Sequence, residues 1–267
     1  MELSKTHISV LKYLRTHCGV EDLSLDPAKT FEVMDAHYKF PSTKVVITAL
    51  RKVYPENKVF IAEMKKRGPI WKGEEVTQTA TEEQIEKFVP WDKIIEFRDS
   101  YYEEMSPLHR LLLALYTYIP PVRLDFTPMR IVARRPKKLE DGMNYYVRAK
   151  APYFMMHAFK THAHMGDQKI KVPAKLKEEI NKWITPDQTY LFQNKEGKPW
   201  LENTLGAAVR RIFEQYHGIH TGVGMIRHAY ATKFHKGQLP LSEITKTASA
   251  MLHGPLQSMT YRFIALE

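Results

Sequence analysis

The chain has 267 residues, 43% apolar and 26% charged, with 40 Lys and Arg against 30 Asp and Glu. That balance excludes wholesale disorder and allows one large domain or two modest ones. No apolar run reaches the roughly 18–20 residues that span a bilayer; the longest, Leu111 to Tyr118, is far shorter. The N-terminus lacks a basic stretch followed by an apolar one, so secretion is not expected. Cys18, the single cysteine, excludes an internal disulfide framework and a multi-thiolate zinc site, and suits a reducing compartment.

The net charge of +10 is unevenly spread. Residues 1–90 carry 14 basic and 13 acidic residues; residues 91–267 carry 26 and 17. A basic second part points to a polyanionic partner, nucleic acid ahead of an anionic membrane, with a merely soluble basic protein as the plain alternative.

In chain order, His7 to His17 places Ile8, Val10, Leu11 and Leu14 at helical spacing. Further helices are expected over Phe31 to Tyr38, Thr43 to Val53 and Lys58 to Lys66, with a break at Phe40-Pro41-Ser42. Residues 67–80 lose periodicity and read as a linker, which puts a domain boundary between about 67 and 82. The two expected domains are 1–75 and 82–267. Thr81-Glu-Glu-Gln84 has the form of a capping box, in which two side chains satisfy free backbone N–H groups at a helix start.

Helices follow at Trp91 to Glu103 and Pro107 to Tyr118, the latter stopped by Pro120-Pro121. Four short β-like runs come next: Met129 to Ala133, Asn144 to Val147, Tyr153 to Phe159 and Lys169 to Val172. The pattern then returns to helices at Ala174 to Trp183, Glu202 to Tyr216, Met225 to Phe234 and Ser242 to Leu252, with a last segment around Ser258 to Phe263. The expected fold is mainly α with a small antiparallel sheet: a helical N-terminal domain and an α+β second domain.

Four places could carry chemistry. Arg123 stands past a broken helix with Asp125 two residues on; Lys160-Thr161 stands before a turn. Arg227-His228 opens a helix preceded by glycines, and His253-Gly254 stands eight residues before Tyr261. Each alone fits an ordinary role: an ion pair, a solvated lysine, an exposed helix face, a histidine in a turn, a core aromatic. Together they are the set that phosphodiester cleavage by a protein hydroxyl requires. A tyrosine oxygen attacks phosphorus. Two arginines stabilise charge on the non-bridging oxygens. A lysine protonates the leaving oxygen and a histidine assists. The scheme needs no metal or other cofactor, and no metal-ligand motif is evident.

This order of residues resembles the tyrosine recombinase (phage-integrase-like) family. Ile226-Arg-His-Ala-Tyr-Ala-Thr232 resembles its second-arginine helix. Met251-Leu-His-Gly-Pro-Leu-Gln-Ser-Met-Thr-Tyr261 resembles its terminal segment, and Lys160-Thr followed by Gln168-Lys-Ile-Lys-Val-Pro173 its lysine hairpin. The Pro120-Pro-Val-Arg-Leu-Asp125 block is most similar to recombinases of large DNA viruses and their mobile elements. The match covers roughly residues 90–267. It implies Tyr261 as nucleophile, Arg123 and Arg227 as phosphate clamps, Lys160 as general acid, His253 as support and Asp125 as orienter of Arg123. It further implies a core-binding first domain, double-stranded DNA clamped between the domains, and a homotetramer on paired sites. It also implies an intracellular location where DNA is. A type IB topoisomerase shares the chemistry, and a catalytically inactive DNA binder shares the fold.

Four features depart from the family pattern, one being a His253-to-Tyr261 gap one residue shorter than expected. Gly224 stands where a histidine or lysine is usual, leaving its proton-handling role to His220, His228 or water. The glycine follows His253 rather than preceding it. Six residues follow Tyr261, fewer than the C-terminal helix of many members needs. Candidate phosphate or groove contacts are Arg134, Arg135, Lys137, Lys138, Arg210, Arg211 and Lys233, with Lys39, Lys44, Arg51 and Lys52 in the first domain. Trp71, Trp91, Trp183 and Trp200 are expected to pack cores or interfaces.

Overall fold

A computed structural model of the chain describes residues 2–76, 79–235 and 239–263, without the side chains of residues 72 and 74–76. The chain divides into two compact units, Met1–Thr77 and Gln78–Glu267.

The first unit is helical. α1 (Lys5–Cys18) starts at Ser4, whose hydroxyl accepts from the His7 N–H while the His7 ring accepts from the Ser4 N–H; it stops at Gly19, at φ 73°. Such a left-handed turn costs glycine least. α2 (Pro27–His37) begins four residues before the expected Phe31, because Asp26 caps the Lys29 N–H and Pro27 takes the first turn. α3 (Phe40–Val53) likewise absorbs Pro41 into its first turn, so Phe40-Pro41-Ser42 starts a helix instead of separating two. The α-helices pack Leu14, Met34, Val46, Ile47, Leu50 and Phe60 into one core.

α4 (Lys58–Val76) corrects the expected linker. It continues through Gly68 and Pro69 to Val76, although an interior proline forfeits a backbone hydrogen bond. Side chains on either side of Pro69 hold it in place. Arg67 donates from Nη1 and Nη2 to the two oxygens of Asp35, each at 2.6 Å, and from Nε to Glu63 at 2.6 Å. Trp71 is buried and donates from Nε1 to the Phe40 carbonyl at 3.3 Å. Tertiary contacts thus outweigh local propensity. Of the expected linker, residues 77–78 lie outside the described residues.

The second unit opens with α5 (Glu82–Lys87), whose Thr81–Gln84 capping box forms as the sequence predicts. α6 (Trp91–Ser100) and α7 (Pro107–Thr117) follow, then β1 (Met129–Val132), β2 (Asn144–Val147), β3 (Tyr153–Met156), the one-turn α8 (His162–Met165) and β4 (Gln168–Lys171). The remaining helices are α9 (Ala174–Trp183), α10 (Glu202–His217), α11 (Val223–Phe234), α12 (Leu241–Ala250) and α13 (Pro255–Met259).

The sheet has the order β1-β2-β3-β4 and is mixed, not antiparallel throughout. β1 and β2 run parallel, because the 133–143 segment carries the chain back before β2 begins. That segment also supplies Leu139 and Met143 to cover Tyr145, Val147 and Met155. The opposite face gives Tyr146, Phe154 and Met156 to the main core beneath α7. With both faces covered, β2 is buried along its whole length. Trp91 packs edge-on to Tyr230, Trp200 stacks on Phe192, and Trp183 donates to the Leu191 carbonyl, so these indoles serve packing. No helix among the described residues is long and apolar enough to cross a membrane.

Arg67→Ala should lower the stability of the first unit by about 2 kcal/mol, since it leaves the nearly buried Glu63 carboxylate unpaired, while half-exposed Asp35 stays solvated. Arg67→Lys should recover less than half of that, because an ammonium cannot match the two-oxygen grip on Asp35. Urea unfolding followed by circular dichroism reads both; equal midpoints for Lys and Arg would reject the bidentate account.

Candidate active site

α11 is the centre of the site. Arg227 lies on its inward side with only 1% of its surface exposed. Its Nη1 donates to the Pro121 carbonyl at 2.7 Å, while Nε and Nη2 have no hydrogen-bond partner among the described residues. Burial pushes this guanidinium below its ordinary value, opposed first by the adjacent Tyr261 side chain. The Arg227 Cζ is 5.0 Å from the Tyr261 ring centre.

The C-terminal segment is fastened to the same helix. His228 donates from Nδ1 to the Tyr261 carbonyl at 2.8 Å; a carbonyl only accepts, so the proton sits on Nδ1. The His228 ring stacks on Phe263 at 4.2 Å. The Thr232 hydroxyl accepts from the Phe263 N–H at 3.0 Å. His235 Nε2 and the Ser258 hydroxyl share a 2.8 Å hydrogen bond. Positions 228, 232 and 235 are one helical face, and they hold half-buried Tyr261 beside the site of its own chain.

His253 is 1% exposed, its ring centre 4.9 Å from that of Tyr261, and neither ring nitrogen has a partner among the described residues. Burial, then repulsion by Arg227, Arg123 and Lys160, pushes its pKa down to about 2. His253 is therefore neutral at neutral pH, and three cations act on it. The preceding Leu252 is buried at φ 57°, a left-handed conformation that costs a non-glycine residue roughly 1–2 kcal/mol. The Thr161 hydroxyl donates to its carbonyl at 2.8 Å, which ties the lysine loop to the histidine loop.

Arg123, Asp125 and Lys160 line a cleft of about 600 Å³ with His157, His162 and Glu202. The buried Tyr116 hydroxyl donates to the Arg123 carbonyl at 2.9 Å. Asp125 accepts from the Arg123 backbone N–H at 2.9 Å, so its hydrogen bond shapes the main chain and not the guanidinium. Burial raises the Asp125 pKa, countered most by Arg227. Lys160 is exposed, beyond the end of β3 rather than on it.

One residue beyond those singled out from sequence organises the whole. Asn144 is 1% exposed and uses all four of its side-chain hydrogen-bonding positions. Nδ2 donates to the carbonyls of Asp125 at 2.8 Å and Ala158 at 2.9 Å, and Oδ1 accepts from the N–H groups of His157 and Ala158 at 2.7 Å each. It staples the Arg123 loop to the Lys160 loop. A lone asparagine at the head of a buried strand was the available signal.

The other candidates, His228 excepted, lie outside this cluster. Gly224 is exposed, and an added Cβ would meet nothing within 4 Å. His220 pairs with Glu214 at the surface, while burial pushes the His228 pKa down to about 4. Arg134, Lys137 and Lys138 are exposed in the β1–β2 connection, with Arg135 3.6 Å from Asp167. Arg210 and Arg211 are exposed on α10, and Lys233 donates to Asp92 at 2.6 Å. In the first unit, Arg51 and Lys52 turn back to Met64 and to the Glu2 carbonyl.

No protein-family model matches this chain, and no curated protein does. Among solved structures, that of XerA recombinase is similar at 11% identity, covering 96% of this chain and 85% of that one, with a TM-score of 0.46.

Asn144→Ala should destabilise the second unit by about 3 kcal/mol, since it strands four buried backbone groups. A thermal midpoint within a degree of the parent's would reject the staple. A second expectation follows from His253. Its folded pKa lies far below the ordinary 6.5, so between these values the unfolded chain holds a proton that the folded chain does not. Stability should fall as pH drops below 6.5, by up to about 1.4 kcal/mol per unit from this group. The difference between midpoints at pH 7.5 and roughly 5.5 should narrow in His253→Gln, with the depressed His228, His235 and His109 keeping the remainder; an unchanged difference would place the effect elsewhere.

Proposed function

We propose that this chain breaks and rejoins duplex DNA through a covalent bond to a tyrosine. The observation that carries the reading is the packing of Tyr261 against both Arg227 and His253, two buried side chains with unspent hydrogen-bonding capacity.

In this reading a scissile phosphate enters the cleft bearing Arg123 and Lys160. Arg227 and Arg123 stabilise charge on the non-bridging oxygens, each as a planar donor. The Tyr261 oxygen attacks phosphorus and forms a 3′-phosphotyrosyl bond as the bond to the 5′ oxygen breaks, its phenolic proton passing to water. Lys160 gives a proton to the departing 5′ oxygen. The neutral His253 offers a hydrogen bond to phosphate or tyrosine. Rejoining reverses these steps, and the phosphotyrosyl bond conserves the energy so that no ATP is consumed. The fastening of Tyr261 to α11 of the same chain favours attack within one subunit.

The particular activity we assign is that of a site-specific recombinase or integrase of the tyrosine recombinase family, acting as a homotetramer on paired sites. The Arg-His-Ala-Tyr-Ala-Thr232 and His253-Gly254 segments support it over a type IB topoisomerase. The Pro120–Asp125 block supports the version found in large DNA viruses and mobile elements. Gly224 favours the inactive DNA binder, since no side chain stands at that position of α11.

Covalent trapping tests the reading. Protein mixed with a pool of nicked duplexes is denatured in detergent, and the ends of protein-bound DNA are sequenced. The parent should yield an adduct with clustered ends, Tyr261→Phe none, and Arg227→Ala at least roughly 10²-fold less per unit time. An adduct surviving Tyr261→Phe would overturn the nucleophile. Scattered ends would favour the topoisomerase, and binding without an adduct the inactive relative.

A further inference from the structure

A second cluster sits beside Lys160. His157 follows β3, His162 opens α8 and Asp167 precedes β4, so three metal-ligating side chains come from one 11-residue stretch. Their ligand atoms lie within 4.8 Å of one another. His157 Nδ1 is 2.6 Å and His162 Nε2 3.0 Å from the same carboxylate oxygen, Asp167 Oδ1. The two imidazoles meet edge to face at 4.8 Å.

We propose that His157, His162 and Asp167 form a site for a divalent transition-metal ion that cross-links the loop carrying Lys160. Two imidazoles and one carboxylate are a donor set that Zn²⁺ accepts, with a fourth position left for solvent. Bonds of about 2.0–2.2 Å in a tetrahedron set ligand atoms roughly 3.3–3.5 Å apart, so the two His–Asp separations open by less than about 1 Å while the widest pair, within 4.8 Å, closes by up to about 1.4 Å. The side chains are 20%, 34% and 32% exposed, which gives an ion an entry path. The Asn144 staple fixes the His157 backbone, so that ligand is already oriented.

The charges nearby set the strength. Arg135 Nη2 is 3.6 Å from the other Asp167 oxygen and competes with a cation. Arg135 is itself over half exposed and has room to swing into solvent. The consequence is local. Lys160 lies between two of the ligands, and Thr161 ties the same loop to Leu252. A bound ion would hold the loop at both ends and add positive charge to the cleft wall. The proposal stands whether or not the chain cleaves DNA.

The test is calorimetric titration of the chelator-treated full chain with ZnCl₂, with Co²⁺ absorption as a second readout. One ion per chain should bind, with the visible bands of four-coordinate Co²⁺. His162→Ala and Asp167→Asn should each weaken binding at least roughly tenfold while keeping the parent's circular dichroism. His220→Ala, at the separate pair with Glu214, should bind as the parent does. No saturable binding, or equal binding in parent, His162→Ala and Asp167→Asn, would overturn the proposal. Loss of binding in His220→Ala alone would do the same.

Discussion

The second unit is arranged around a guanidinium taken out of water. Burying a cation costs several kcal/mol unless partners repay it, yet Arg227 gives one donor to a carbonyl, and its Nε and Nη2 have no hydrogen-bond partner among the described residues. A core built for stability alone would put an apolar side chain there. In the proposed reaction, an anion with several oxygens is the partner whose chemistry completes the set.

Neighbouring features serve to hold that arrangement in place. The Asn144 staple fixes the loops that present Arg123 and Lys160, and the Tyr116 hydroxyl braces the Arg123 backbone. The His228–Thr232–His235 face fixes the tyrosine segment. Leu252 accepts a left-handed backbone so that His253 turns inward. Cations crowd the site: Arg227, Arg123 and Lys160 all repel a proton on His253, and half-buried Asp125 sets a carboxylate against Arg227 and Arg123.

Helices with strong apolar spacing, such as Pro107–Thr117, were legible in the sequence, as was the Thr81 capping box, because both signals are local. The continuation of α4 through Pro69 was not, since it depends on Arg67 and Trp71 meeting partners some thirty residues earlier. The parallel pairing of β1 and β2 was hidden for the same reason: strand alternation reports burial, not direction. At the site, residue chemistry and order singled out Arg123, Lys160, Arg227, His253 and Tyr261, whose joint role is proposed. The roles of Asn144 and of the His228 face were not, because a hydrogen-bond network has no sequence period. Asp125 illustrates the limit, since its position was legible but the group it bonds was not.

In the proposed reaction Arg227 is kept for an anion and not for the fold. Urea unfolding of Arg227→Met against the parent, without DNA, tests this most directly. Methionine replaces the buried charge with an apolar chain of similar length; it leaves the Pro121 carbonyl unpaired and removes the strongest charge opposite Asp125. The account predicts a variant within about 1 kcal/mol of the parent or more stable than it. A loss of about 3 kcal/mol or more would show that the guanidinium holds the fold together, and would contradict the claim.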